Sequence, residues 1–221
     1  MQKTAFDIDT VMERVGAAVE PYPKAALFDL AEQGFSSPFE QLLACIISIR
    51  TRDEVTIEVA PRLFRVARTP QAIDALDASE IDELITPSTF HAAKASQFKD
   101  IARIVLDEYG GGVPCNFEGL TQFHGVGPKC ANLVLAIACD QPSVSVDVHV
   151  HRITNRWGYV QTDHPHETME TLEEILPQRY WVDINRLLVP FGKHICTGRR
   201  PHCSTCPALE MCAQVGVTNP R

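Results

Sequence analysis

Asn116-Phe117-Glu118-Gly119-Leu120-Thr121-Gln122-Phe123-His124-Gly125-Val126-Gly127-Pro128-Lys129-Cys130-Ala131-Asn132, running on into the apolar Leu133–Cys139, is the stretch that decides the fold. Asparagine is a strong helix cap, so Asn116 opens a short helix reaching Phe123. Proline is favoured at the first helical position, so Pro128 opens a second helix through Cys139. Two short helices joined by a Gly-Val-Gly turn form a helix-hairpin-helix over residues 116–139. The glycines permit positive φ and close backbone approach. The second helix turns unpaired N–H groups and its positive dipole end toward any nearby anion. A nucleic-acid phosphate fits there without its bases being read, which makes Gly125, Val126 and Gly127 candidate DNA contacts. An ordinary tight turn between helices accounts for the glycines equally well, so the residues around the turn must decide.

Lys129 follows Pro128, in the first turn of that second helix. A cation is disfavoured at a helix N-terminus. The bland reading is a solvated lysine pointing away; the functional one is a nucleophilic amine kept neutral by the dipole and by partial burial. Asp147 lies 18 residues on, between Val146 and Val148-His149. Its carboxylate suits acceptance of a proton or stabilisation of a cationic sugar, and it also suits a helix cap.

Eight cysteines fall into two populations. Cys45, Cys115, Cys130 and Cys139 are scattered and are expected to behave as free, small hydrophobes. Cys196, Cys203, Cys206 and Cys212 follow C-x6-C-x2-C-x5-C, with Gly198, Pro201 and Pro207 turning the chain between them. In a reducing compartment such a group reads as a metal site rather than a disulfide framework. Structural zinc usually takes two close pairs. One tight pair with two outlying ligands suits an iron–sulfur cubane better, with zinc as the alternative. Thr197-Gly198-Arg199-Arg200-Pro201-His202 is a short basic loop tied at both ends to that group, and Arg199 and Arg200 are candidate phosphate contacts.

The chain has 221 residues, 45% hydrophobic and 22% charged, which excludes collagen-like, disordered and low-complexity classes. Its seven-residue apolar run is far short of the ~20 residues of a membrane span, and no apolar signal segment opens it. A soluble, cytoplasmic protein without membrane contact is expected. The net charge of −8 weighs against a nucleic-acid partner at first sight. Yet residues 121–160 carry three basic and two acidic side chains, and residues 192–221 four and one. Those two blocks also hold His124, His149, His151, His194 and His202.

The remaining periodicity is helical. Ser37-Pro38-Phe39-Glu40 is a capping box before a nearly all-apolar run, as expected of a central buried helix. Thr51-Arg52-Asp53-Glu54 repeats the capping signal, and Thr69-Pro70 and Ser79 start two more helices. Another is expected over 92–109, ended by Gly110, and others over 167–176 and 180–189. Only 143–151, where Val144, Val146, Val148 and Val150 alternate, fits a strand; a loop entering a helix at Asp147 fits it as well.

Gly125-Val126-Gly127-Pro128-Lys129, Val146-Asp147-Val148-His149 and the four spaced cysteines, in this order, resemble the endonuclease III family of base-excision DNA glycosylases over roughly residues 37–212. The resemblance implies an all-α fold of two helical lobes with the active-site cleft between them. One is a six-helix barrel over 30–141 containing the hairpin; the other is a cluster lobe made of 1–29 and 142–221. It implies a bifunctional glycosylase and abasic-site lyase that removes damaged, oxidised pyrimidines through a Lys129 Schiff base and cuts by β-elimination. It implies Asp147 as second catalytic residue and a 4Fe-4S cluster on Cys196, Cys203, Cys206 and Cys212. It implies a monomer that meets duplex DNA carrying damaged bases or abasic sites, with His149 among the DNA contacts. Four departures bear on substrate. Arg50 replaces a usual glutamine, Phe90 a common leucine wedge, Phe123-His124 the usual Leu-Pro, and Pro128 a frequent arginine. Rival readings are the adenine-mismatch branch, which typically lacks the lysine, and a non-catalytic or redox-responsive DNA-binding protein.

Overall fold

Ser37, Pro38 and Glu40 start the helix around which half the chain packs. In the computed structural model, which describes residues 3–221, the Ser37 hydroxyl accepts from the Glu40 amide and the Glu40 carboxylate accepts from the Ser37 amide. The resulting helix, α3 (Pro38–Ser48), is buried from Phe39 to Ile47. Burying Glu40 there is answered by Arg68, whose Nε donates to it at 2.6 Å.

The chain divides into two compact units, Ala26–Ser143 and Met1–Ala25 with Val144–Arg221. The first holds α2 (Ala26–Glu32), α3, α4 (Asp53–Val66), α5 (Pro70–Ala75), α6 (Ala78–Ile85), α7 (His91–Tyr109), α8 (Phe117–Gln122) and α9 (Pro128–Ala138). α3 packs against α9, α4 and α7, and α7 carries α5 and α6. Leu42, Leu43, Phe64, Phe98, Ile101 and Val134 fill the interior. The second unit holds α1 (Ile8–Val19), α10 (Val148–Trp157), α11 (Pro165–Ile175) and α12 (Asp183–His194). Its core joins Val11 and Val15 to Val150, Ile153, Leu172, Leu188 and Phe191. Among the described residues there is no strand, and no helix is long and apolar enough to cross a membrane.

Several local expectations need correction. Thr51 does not cap α4: the cap position is Arg52, without a side-chain bond, because the Thr51 hydroxyl is engaged by Thr89 and Lys94. α6 is capped by Asp77 rather than Ser79, since Asp77 and Glu80 form their own capping box. The helix expected over 180–189 is shifted to Asp183–His194, and Gln178–Tyr180 forms a separate 3-10 turn. α11 starts two residues early, through a His164–Glu167 box. The alternating valines resolve as the loop reading. Val144, Val146 and Val150 are buried in the second unit's core, while Val148 is exposed at the start of α10.

Cys115 and Cys139 are not free: a disulfide joins them. Cys115 immediately precedes the Asn116 cap of α8 and Cys139 ends α9. The hairpin folds its two ends back to a Cα–Cα separation of 5.7 Å, within reach of a disulfide. Cys45 and Cys130 are free and buried, as expected.

Candidate active site, DNA-contact residues and cluster loop

The hairpin turn is fixed from within. Phe123 and Val126 are buried, and the Val126 amide donates to the Phe123 carbonyl at 3.0 Å. Between them His124 and Gly125 stay exposed. Gly125 has φ +78°, and a Cβ there would stand 2.8 Å from Gln97 Nε2. That amide is in use, donating to the His124 carbonyl. Gly127 caps α9 with no side chain of its own, and nothing lies within 4 Å of where its Cβ would be. The start of α9 therefore has the open approach that an anion requires.

Lys129 is half-buried in that first turn. The next residue, Cys130, is buried against Cys45 of α3, and the two thiols hydrogen-bond. The bond and the burial push Cys130 well above the usual thiol range; Cys130's own donation holds Cys45 down. The Lys129 charge acts to lower both. The lysine is thus carried on a helix clamped to the most buried helix of its unit.

Arg50 and Phe90, forty residues apart in sequence, come together. Arg50 Cζ sits 6.0 Å from the Phe90 ring centroid, and the ring is 59% exposed. Such a guanidinium–ring pair leaves the outer face of the ring to solvent. Both residues hold left-handed backbone, φ 54° and 58°, which non-glycine residues rarely adopt. Beneath them lies Lys94, a buried residue that the sequence analysis did not single out. Burial pulls its ammonium down to about 8.

In the other unit, Asp147 is the N-cap of α10, accepting from the His149 amide at 2.8 Å and the Val150 amide at 2.9 Å through one carboxylate oxygen. His149 is half-buried, its Nδ1 3.0 Å from Arg152 Nη2. Arg152 also donates to the carbonyls of Gly192 and Cys196. One turn on, Arg156 donates to the Thr197 and Gly198 carbonyls and lies 3.5 Å from Cys196 Sγ. Both arginines brace the cysteine loop, and sequence reading missed them. Their spacing of four along one helix face was the available signal.

All four cysteines of the C-terminal group line one cavity, with Trp157, Ile195, Leu209 and Val217 as its apolar wall. Burial, reinforced by the other three thiols, pushes Cys206 up to about 12, and Cys212 is raised for the same reason. Such a set becomes four thiolates only around a compensating polycation. Among the described residues, no three Cys, His, Asp or Glu side chains close on a point as ligands of one metal ion. Arg199 and Arg200 are exposed between the first two cysteines, the loop being tied by Thr197 Oγ1 donating to the Arg200 carbonyl.

The sequence profile of HhH-GPD superfamily base excision DNA repair proteins matches residues 43–178, which span the hairpin and Asp147. The chain is 42% identical over 177 residues to endonuclease III of Thermotoga maritima, covering 80% of this chain and 83% of that one. This chain belongs to the endonuclease III family. A chloroplastic endonuclease III homologue of Arabidopsis thaliana is 44% identical over 183 residues, covering 79% of this chain and 47% of the plant protein. A solved endonuclease III trapped as a covalent intermediate with DNA, in an estranged-adenine complex, has a TM-score of 0.75. It is 32% identical and covers 80% of this chain and 84% of that one. As a member, the chain is a DNA-acting base excision repair enzyme, a glycosylase with lyase activity at abasic sites.

Proposed function

We propose that this member of the endonuclease III family acts as a monomer at the nucleoid, excising oxidised pyrimidines from duplex DNA through Lys129 and cutting at abasic sites. The observation that carries the reading is the seat of Lys129. It is half-buried in the first turn of α9, backed by the Cys130–Cys45 pair and preceded by the open Gly125–Gly127 turn.

The turn and the start of α9 take a backbone phosphate, and Arg199, Arg200 and His149 add further contacts. The damaged nucleotide leaves the stack. The Lys129 Nζ lone pair attacks C1′, and the C1′–N bond to the base breaks with its electrons going to the base, which leaves carrying the proton that the attacking amine gives up by way of Asp147. Ring opening gives an imine between Nζ and C1′. Loss of a C2′ proton then expels the 3′ phosphate, which is β-elimination. Asp147 accepts the proton that Lys129 must shed and stabilises positive charge on the opening sugar. Phe90 fills the gap left by the nucleotide, and Arg50 hydrogen-bonds the orphaned base, most favourably a guanine.

Cys196, Cys203, Cys206 and Cys212 would hold a 4Fe-4S cluster, whose part would be structural, fixing the loop that carries Arg199 and Arg200. The shared cavity, its apolar wall and the need for a compensating cation support this reading. Purified protein is expected to be brown, with iron and acid-labile sulfide; colourless protein carrying zinc overturns the cluster. Because Arg50 and Phe90 replace the family's usual glutamine and leucine, lesion recognition is expected to be weaker than strand cutting. Single-turnover rates on one duplex carrying an oxidised pyrimidine, and on its abasic counterpart, are the test. The abasic duplex is expected to react faster by about tenfold or more; equal rates sink the weaker-recognition reading, and no reaction on either sinks the function.

A further inference from the structure

We propose that Lys94 is a positioning residue, whose buried ammonium fixes the two loops that present Arg50 and Phe90 to DNA. The proposal rests on the reading of those two residues as the ones that meet the orphaned base.

Lys94 lies on the first turns of α7 and is 5% exposed. Its Nζ donates to the Ile47 carbonyl at 2.8 Å, the Ile49 carbonyl at 3.0 Å and Thr51 Oγ1 at 3.1 Å. The two carbonyls belong to the C-terminal end of α3, where backbone acceptors lack helical donors. Both lie just N-terminal to Arg50, so the lysine grips the chain immediately before its left-handed residue. Thr51 Oγ1 does double duty, also accepting from the Thr89 amide at 3.1 Å. Thr89 directly precedes Phe90, whose own carbonyl accepts the Lys94 amide at 3.0 Å. Lys94 therefore ties both left-handed residues to a single node, its ammonium through the two carbonyls and Thr51 Oγ1, its backbone amide through the Phe90 carbonyl.

Two features separate this from ordinary packing. All three partners of the ammonium are neutral oxygens, so the buried charge is solvated by the loops rather than neutralised by an acid, an arrangement that exacts a desolvation cost. The residues that the node holds in disfavoured backbone are exposed and paired with each other, so their conformation serves no core.

The test compares cleavage of an abasic site in a duplex with cleavage of the same strand alone, because only the duplex needs its gap filled. In Lys94→Met the duplex-to-single-strand turnover ratio is expected to fall by about 10- to 100-fold, since small misplacements of such groups are costly. Thr51→Val keeps Lys94 but removes the shared oxygen, and is expected to lower the ratio in the same direction by less; it decides the matter if Lys94→Met does not fold. Phe90→Ala serves as reference. An unchanged ratio in Phe90→Ala overturns the wedge reading and this proposal with it. A lowered ratio there, with both Lys94→Met and Thr51→Val at the parent value, overturns the role of Lys94 alone. Equal loss on both substrates in the folded node variants reveals general damage and also rejects it.

Discussion

Lys129→Gln is expected to give no covalent adduct when the protein is mixed with an abasic duplex and borohydride, whereas the parent protein is trapped. Glutamine, one bond shorter, keeps an unbranched stem and a hydrogen-bonding end, and it removes a cation from a helix N-terminus, where cations are disfavoured. The fold should therefore tolerate it, and the change falls on chemistry. An amide nitrogen has no available lone pair for attack on C1′, so neither imine nor β-elimination can follow. Strand cutting is expected to drop by on the order of 10³-fold or more, the scale of losing a covalent nucleophile. Gel-resolved adduct and single-turnover cutting measure it directly. An adduct that survives in Lys129→Gln would move the nucleophile to another amine. Lys94 is a poor candidate for that role, because its Nζ is committed to three oxygens beneath the Arg50 loop.

What could be read from the sequence was set by how local each signal is. The α3 capping box and the Asn116-to-Pro128 hairpin are each written in one short continuous stretch, and both stand as expected. The spaced cysteines likewise reach one cavity because their turns are encoded between them. Thr51 misled because its neighbours spell a cap, while its hydroxyl is taken by groups 38 and 43 residues away. The Cys115–Cys139 disulfide was missed for the same reason: the pairing depends on the hairpin closing, which neither cysteine's surroundings reveal. Lys94 was invisible because a lysine among alanines and polar residues reads as helix surface, and only the fold of 47–51 over it makes it buried. Arg50 and Phe90 were noticed as departures from a family pattern, yet their stacking and shared left-handed backbone needed coordinates.

Asp147→Asn separates two roles that the sequence left superimposed. The carboxylate caps α10, taking two amide hydrogens on one oxygen, and asparagine caps a helix about as well as aspartate. The melting temperature and the affinity for undamaged duplex should therefore change little. Alanine at the same position loses the cap and is expected to destabilise by about 1 kcal/mol, within a usual range of roughly 0.5–2. Chemistry responds differently. The neutral amide can neither receive the proton that Lys129 sheds nor offset charge on the opening sugar. Turnover in Asp147→Asn is accordingly expected to fall by about 10²- to 10⁴-fold, the scale of a lost general base. A melt, a duplex-binding titration and a single-turnover assay on the abasic substrate distinguish the cases. Parent-like turnover with a parent-like melt would leave Asp147 as a helix cap and nothing more, and the proton acceptor for Lys129 would have to be sought among other groups or water.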